Sequence, residues 1–364
     1  MPRIPVSVLV KAYRRNPLLP LLLKECRSLD SARNELRWLR ERALRDSRLP
    51  GRLRGSWPGW RARLRSMCLW RSRGFPLQYI LGDQPFGDLE ILCRRGVLIP
   101  RPETESYTVE AARLIRQALA QEEPGSPGTR SLRVLDLCTG TGCIALLLHA
   151  LLASHFKDMI VLGVDLSPIA LNLAQKNLDH NVDKGLLSRR ASTDIHFQRA
   201  DVLGRSDSSI PAVEEVLPKY FSQSGALSEP SATRCDLLIS NPPYISASEF
   251  RDGTTARSVR LFEPRLALVP PATGSTEDAQ DRPEDIFYRR ILTLSIKLQA
   301  KVTVLECGDM TQAGRVVEMY TAMTSSHSDH SSAEIWPSTE RDLAANGFHP
   351  YDGSRCVIIK RWAR

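Results

Sequence analysis

Val134-Leu135-Asp136-Leu137-Cys138-Thr139-Gly140-Thr141-Gly142 reads as a buried strand that runs into a glycine-rich turn and then, through about residue 156, an apolar helix. Glycines at such a turn let the backbone approach a ligand closely, and the helix N-terminus favours a negative group such as a carboxylate. Asp165 stands at the end of the next strand, placed to accept hydrogen bonds from ribose hydroxyls. Capping the helix that opens at Pro168 is the plainer role for Asp165 or Ser167, and it does not exclude the first. Asp201, with Val202, follows the third strand and is placed to flank an adenine ring; an aspartate there is also a common turn residue. Gly140, Gly142 and Ala145 satisfy the dinucleotide pattern too, so this motif alone leaves a nicotinamide-linked oxidoreductase open.

The alternation continues outward. Segments 132–137, 159–164, 195–199, 236–240, 302–307 and 356–360 read as strands, and 168–181, 288–300 and 312–324 as helices. Elements of this length predict an α/β fold, a doubly wound Rossmann-like sheet with helices on both faces. Residues 204–233 read as a polar insertion, and 271–283 and 325–338 as surface loops.

Upstream, residues 8–75 read as helical. Leu36, Leu39, Ala43 and Leu44 recur at three- and four-residue steps, and Pro50-Gly51 and Trp57-Pro58-Gly59 break one helix from the next. Residues 1–75 are thus expected to form a small helical domain. Residues 76–105 follow as a linking β-hairpin, with Phe86-Gly87-Asp88-Leu89-Glu90-Ile91 and Gly96-Val97-Leu98-Ile99 as its strands. The α/β domain takes residues 106–364.

The net charge of +9 is concentrated between Ser31 and Gly74, where thirteen arginines face only Glu35, Glu41 and Asp46. Trp38, Trp57, Trp60 and Trp70 lie in the same stretch. Basic residues interleaved with aromatics suit RNA contact or docking on a partner that sits on RNA. The plainer reading is a helical bundle with an Arg-rich surface and core tryptophans. No acid precedes Glu25, as suits a mitochondrial presequence, although the same residues can simply begin a helix. The expected compartment is the mitochondrial matrix, otherwise the cytoplasm.

A chain of 364 residues with 42% hydrophobic residues has ample core. No apolar run approaches the roughly 18 residues of a membrane span. The eight cysteines are scattered singly, with no pairing or histidine cluster at metal spacing, and read as reduced small residues. A monomer with no membrane partner and no metal is expected.

The chemistry falls on Asn241-Pro242-Pro243-Tyr244, which directly follows the fourth strand. Two prolines fix φ and remove two donors, and the residue before a proline is pushed extended. A planar –NH2 group can donate to the Asn241 side-chain oxygen and the Pro242 carbonyl while Tyr244 packs on its face. An amide nitrogen is a poor nucleophile because its lone pair is delocalised. Accepting its N–H bonds at two fixed points raises electron density on nitrogen and aims it at a sulfonium methyl, a positioning effect worth many kcal/mol. An ordinary Pro-Pro turn is the alternative, disfavoured by the cofactor motif in register upstream.

These residues resemble the HemK/PrmC family, the S-adenosyl-L-methionine-dependent glutamine methyltransferases of peptide-chain release factors. The likeness is carried by Pro76-Leu77-Gln78-Tyr79-Ile80-Leu81-Gly82, Leu98-Ile99-Pro100-Arg101-Pro102-Glu103-Thr104-Glu105, the segments 136–142 and 241–244, and Phe262-Glu263-Pro264-Arg265-Leu266-Ala267-Leu268. It implies a class I methyltransferase sheet behind a helical domain and hairpin. The implied substrate is the Gln of the Gly-Gly-Gln motif of a class I release factor, in the bacterial and mitochondrial branch. The cofactor contacts would be Asp136, Cys138, Thr139, Gly140, Thr141, Gly142, Asp165, Asp201, Val202 and Asn241, and the substrate site Asn241, Pro242, Pro243 and Tyr244. Cys138 departs from the family's usual glycine and should be tolerated unless its φ is positive. Val269-Pro270-Pro271 replaces a glycine-rich acidic run, and the 204–233 insertion is atypical. The same tetrapeptide also suits the exocyclic amine of a flipped adenine in DNA or RNA. A non-catalytic ribosome-associated protein is a third reading.

Overall fold

The computed structural model describes residues 3–48, 59–122, 131–205, 209–221, 234–271, 282–325, 331–337, 353 and 355–361. Among the described residues the chain begins with four helices, α1 (Val6–Arg15), α2 (Leu19–Cys26), α3 (Leu29–Arg48) and α4 (Trp60–Arg71). They share an apolar core built from Leu22, Leu23, Leu39, Ala43 and Met67. In α3 the buried Ala32, Leu39 and Ala43 lie on one face, with Asp30 in the first turn and Arg45 and Arg48 in the last, matching the helix dipole. Arg71 spans to α3 with a two-pronged pair on Glu35, at 2.8 and 3.0 Å. Of the described tryptophans in this stretch none is fully buried, and only Trp60 packs against the core. Trp38 and Trp70 are exposed, and Trp60 lies half-buried under Arg61 at 4.6 Å. Trp57 and the Pro50-Gly51 break fall outside the described residues.

A short helix α5 (Leu77–Leu81) ends on left-handed Gly82 and leads into a hairpin of β1 (Asp83–Phe86) and β2 (Leu89–Leu92). Phe86 faces Leu89 across the turn Gly87-Asp88, where Gly87 takes φ 56°. The expected second strand at 96–99 does not form. There the Ile99 N–H donates to the Glu263 carboxylate at 3.0 Å rather than to a neighbouring strand. From Pro102 runs α6 (Pro102–Glu122).

The sheet follows. Its strands are β3 (Ser131–Leu137), β4 (Asp158–Asp165), β5 (Ile195–Arg199), β6 (Leu237–Ser240), β7 (Val302–Cys307), β8 (Ser331–Trp336) and β9 (Arg355–Arg361), in the order β5-β4-β3-β6-β7-β9-β8. The first five are parallel and β9 is antiparallel to both neighbours. The helices between them are α7 (Cys143–Leu152), α8 (Pro168–Asp183), α9 (Ala191–Asp194), α10 (Val213–Phe221), α11 (Ala247–Asp252), α12 (Arg257–Phe262), α13 (Ile286–Lys297) and α14 (Met310–Thr324). Leu132 and Val134 of β3 join α6 and α7 in one core, while Leu135 and Leu137 join α10, α13 and α14 in the other. The expected doubly wound sheet is therefore present. The chain leaves β3 to one side for β4 and returns on the other as β6, so a crevice opens beyond its carboxyl end.

Two further expectations are corrected. Segment 331–336 is not loop but an edge strand: Ser331-Ser332-Ala333-Glu334-Ile335-Trp336 is too polar to announce itself, yet its backbone pairs fully with β9. Within the 204–233 insertion, α10 buries Val213, Val216, Leu217 and Phe221 at helical spacing, despite Pro218. Residues 206–208, 222–233 and 272–281 lie outside the described residues.

Candidate active site

The turn after β3 is held from below. The Thr139 hydroxyl donates to Asp136 Oδ2 at 2.6 Å, the Thr139 N–H to the Val164 carbonyl at 2.9 Å, and the Gly142 N–H to the Thr139 carbonyl at 2.8 Å. Asp136 is fully buried beneath the turn, and burial pushes its carboxyl up to about 7. Gly140 and Gly142 take φ of 55° and 78°. A Cβ on Gly142 would stand 2.9 Å from the Phe197 ring, so glycine is required there. At Gly140 a Cβ would meet nothing nearer than the Cys138 carbonyl at 3.9 Å, because that side is open cleft. Cys138 also has positive φ, 60°, the one condition under which its replacement of glycine carries strain.

Asp165 closes the other side of the turn. One carboxylate oxygen accepts from Gly140 N at 2.9 Å, and the other from Ser167 N at 2.8 Å. Ser167 is the cap of α8, its hydroxyl accepting from Ala170 N at 3.3 Å. Burial raises the Asp165 carboxyl above the usual carboxylate range, while those backbone N–H bonds oppose the rise. A carboxylate has about four lone-pair sites, so acceptor capacity remains for a ribose hydroxyl. Asp201 is anchored likewise, accepting from Leu203 N at 3.0 Å and from Arg205 Nε at 3.0 Å.

These groups line one cleft of about 950 Å3, its open mouth included. Cys138, Thr139, Gly140, Thr141, Asp165, Asp201, Val202, Asn241 and Pro243 all contribute to it, together with residues 96–101, Pro264, Leu266 and Ala267. Asp136, Gly142 and Pro242 are not among the residues that line it. The size and mixed lining are those of a small-molecule site. An open glycine cradle, two anchored carboxylates with spare lone pairs and an apolar wall fit the amino-acid, ribose and adenine parts of S-adenosyl-L-methionine.

Beyond Asn241 a second cavity adjoins the first. Leu98, Arg101, Asn241 and Ala267 line both, and Tyr244, Ile245 and Glu306 line only the second. The corner between the cavities is tightly held. Ser240 Oγ donates to the Leu137 carbonyl at 2.8 Å, Ile245 N to the Leu268 carbonyl at 2.8 Å, and Gln312 Nε2 to the Tyr244 carbonyl at 3.3 Å. The Asn241 carboxamide donates from Nδ2 to Thr104 Oγ1 at 3.3 Å, which leaves its oxygen for the cleft.

Three supporting residues carry no role in the sequence reading. Arg101 donates to Glu263 at 2.6 Å, joining the segments 98–105 and 262–268 into one clamp over the cleft. Thr104 sits at the start of α6. Glu306 is a carboxylate inside the otherwise uncharged buried strand β7, and that anomaly was its available signal.

The chain matches no family model. It is 36% identical over 271 residues to the mitochondrial MRF1 N(5)-glutamine methyltransferase MTQ1 of Saccharomyces cerevisiae, covering 74% of this chain and 68% of that one. It is 34% identical to the probable MRF1 mitochondrial N(5)-glutamine methyltransferase mtq1 of Schizosaccharomyces pombe, covering 75% of each. The release factor glutamine methyltransferase of Chlorobaculum tepidum is 35% identical over 57% of each chain. Among solved structures, the N-terminal domain of human METTL16 is 17% identical with a TM-score of 0.47, over 91% of this chain and 94% of that one, a likeness too weak to carry an argument.

Proposed function

The chain belongs to the family of release factor N(5)-glutamine methyltransferases, and from that membership we propose that it methylates the side-chain nitrogen of the Gln in the Gly-Gly-Gln motif of a mitochondrial class I release factor. It is an S-adenosyl-L-methionine-dependent enzyme, and the cofactor, when bound, supplies an electrophilic methyl on a sulfonium. The observation that carries the site assignment is the Asn241 carboxamide, tied through Nδ2 to Thr104 at the junction of the two cavities.

The glutamine amide enters through the cavity of Tyr244 and donates its two N–H groups to Asn241 Oδ1 and the Pro242 carbonyl. Tyr244 packs on the amide plane. Holding both N–H groups localises the lone pair and fixes its direction toward the larger cleft. Cys138 to Thr141, Asp165, Asp201 and Val202 hold the cofactor there, and residues 96–101 exclude water from one side.

The helices of residues 1–75 form a separate domain in this reading, the segment 76–105 with its short hairpin links it, and residues 106–364 are catalytic. The Arg-rich surface of α3 and α4, with Trp38 and Trp60 under arginines, supports proximity to ribosomal RNA. The mitochondrial relatives support a place in the mitochondrial matrix, where the enzyme acts as a monomer. Incubation with isotopically labelled cofactor and either release factor or nucleic acid tests the assignment, with mass spectrometry of the Gly-Gly-Gln peptide as readout. Label on that glutamine is expected; label confined to nucleic acid sinks the reading.

A further inference from the structure

The hydrogen bonds behind the Asn241 corner all run one way. Asn241 Nδ2 donates to Thr104 Oγ1 at 3.3 Å, Thr104 Oγ1 donates to Glu306 Oε2 at 2.6 Å, and Tyr244 OH donates to Glu306 Oε1 at 3.3 Å. Glu306 is 3% exposed and accepts at both oxygens. An ionised carboxylate has no hydrogen to give. The Thr104 proton is therefore committed to Glu306, and its lone pair to Asn241. The sheet does not need this network, since β6 and β7 are already fixed by their backbone ladder, with Ser240 opposite Leu305. An apolar side chain at 306 would avoid the desolvation cost of a buried carboxyl.

We propose that Glu306 is the positioning residue of the amide-holding corner: acting through Thr104 it sets which end of the Asn241 carboxamide faces the cleft, and it holds the Tyr244 ring directly. This rests on the glutamine-methyltransferase reading above and adds to it the residue that determines its acceptor.

The protonation state of Glu306 decides the outcome. Burial pushes its carboxyl up to about 7; Glu103 adds to the rise, while the Thr104 and Tyr244 bonds and the charge of Arg101 oppose it. The other titratable groups around it, Tyr107 of α6, Cys143 of α7, Tyr244 of the corner, Tyr288 of α13, Cys307 of β7 and Cys356 of β9, are held neutral by burial. A protonated Glu306 becomes a donor at one oxygen. With the proton on Oε2, Thr104 turns its own proton toward Asn241 and the carboxamide flips to present Nδ2; with it on Oε1, Tyr244 loses its acceptor and the ring is released. In the first case a donor would face the N–H groups of the substrate. The active form is the ionised one, so kcat rises with pH through the Glu306 titration.

The test measures kcat, KM for cofactor and KM for release factor from about pH 5.5 to 9, for the wild-type chain, Glu306→Gln, Thr104→Val and Thr104→Ser. Glutamine at 306 keeps one acceptor and puts a donor in place of the other, so Thr104 and Tyr244 can no longer both donate to it and one arm of the corner must rearrange. Wild-type kcat is expected to rise through about pH 7. Glu306→Gln is expected to lose kcat about 100-fold, with no such step and with the cofactor KM within about threefold. Thr104→Val should fall similarly, and Thr104→Ser, which keeps the hydroxyl, should stay about tenfold or more above it. Should Glu306→Gln fail to fold, the Thr104 pair and the wild-type pH profile decide. Wild-type transfer to release factor with undiminished kcat in Glu306→Gln overturns this inference alone. Equal loss of kcat and cofactor affinity in the Glu306 and both Thr104 variants overturns it too, as a mark of collapse rather than positioning. No transfer by the wild-type chain overturns the functional reading with it.

Discussion

Arg101 and Glu263 stand 162 residues apart in sequence and meet in a 2.6 Å charged hydrogen bond over the cleft. Glu263 uses its second oxygen to accept from the Ile99 N–H at 3.0 Å, and Arg101 donates to the Ile99 carbonyl at 2.8 Å. The two carboxylate oxygens thus fix both the backbone and the side chain of the segment that walls the cofactor cleft. Burial of the pair would weaken Arg101 as a cation, but the Glu263 charge and hydrogen bond outweigh it and hold the guanidinium protonated.

Glu263→Ala should therefore loosen that wall rather than unfold the chain. The Glu263 side chain is 3% exposed and the Arg101 side chain 29%, so the orphaned guanidinium can still reach water. A loss of about 2 kcal/mol is expected, below the roughly 3–5 kcal/mol of a fully buried pair because of that exposure, with a melting temperature about 4–8 °C lower. Cofactor KM should rise more than kcat falls. Calorimetry together with steady-state kinetics checks this, and an unchanged cofactor KM would show the clamp to be irrelevant to the cleft.

Asn241→Ala removes the acceptor from the junction of the cavities and leaves the glycine turn, Asp165 and Asp201 untouched. Transfer should fall about 100- to 1,000-fold, the range for removing one preorganised hydrogen-bonding group, while cofactor affinity measured by calorimetry stays within about threefold. A chain that still methylates at wild-type rate after this change does not use the corner.

The parallel core of this arrangement was legible because buried strands read as apolar runs of the right length, and 195–199 and 302–307 coincide with β5 and β7. The edge was not: β8 owes its place to the β9 ladder, and backbone pairing leaves no trace in a run such as Ser331-Ser332-Ala333. The hairpin was misplaced because the extended 97–100 segment carries strand-like residues whose partners are the Glu263 carboxylate and a tyrosine hydroxyl, from Tyr79 to the Val97 carbonyl at 2.6 Å. At the site, the residues facing the cleft carry local motifs, whereas Thr104, Glu263 and Glu306 act through contacts 62 to 202 positions away. Such contacts are set by topology, and a single sequence encodes them only as a charge in an unexpected place.

Stability should fall as pH rises from about 4 toward 7. Asp136 and Glu306 are each pushed up to about 7 by burial, whereas in the unfolded chain they titrate near 4. Between those values the folded state holds protons that the unfolded state has released, so each added pH unit favours unfolding. The limit is about 1.4 kcal/mol per unit for each group. The effect is complete above the folded value and absent below the unfolded one. Asp136→Asn removes one of the two contributions and should flatten the decline measured by denaturant unfolding between about pH 5 and 7. An identical slope in wild type and variant would mean that Asp136 titrates normally.

Cys138 gives the sharpest test of backbone strain. Its φ of 60° lies in the left-handed region, where a Cβ crowds the following carbonyl at a cost of roughly 1–2 kcal/mol. Cysteine is small enough to bear this, and its side chain is partly repaid by packing against the core on the α13 side of the sheet. Cys138→Gly relieves the strain but gives up that packing and adds about 0.5–1 kcal/mol of unfolded-state entropy, so its net effect should stay within about 1 kcal/mol. Cys138→Val keeps the bulk and branches at Cβ, where positive φ is least tolerated, and should cost about 2 kcal/mol or more with a matching loss of cofactor affinity, because the same residue lines the cleft. Thermal unfolding of the two variants side by side separates the terms. A valine variant as stable as the glycine one would mean that the turn relaxes out of the left-handed conformation without harm.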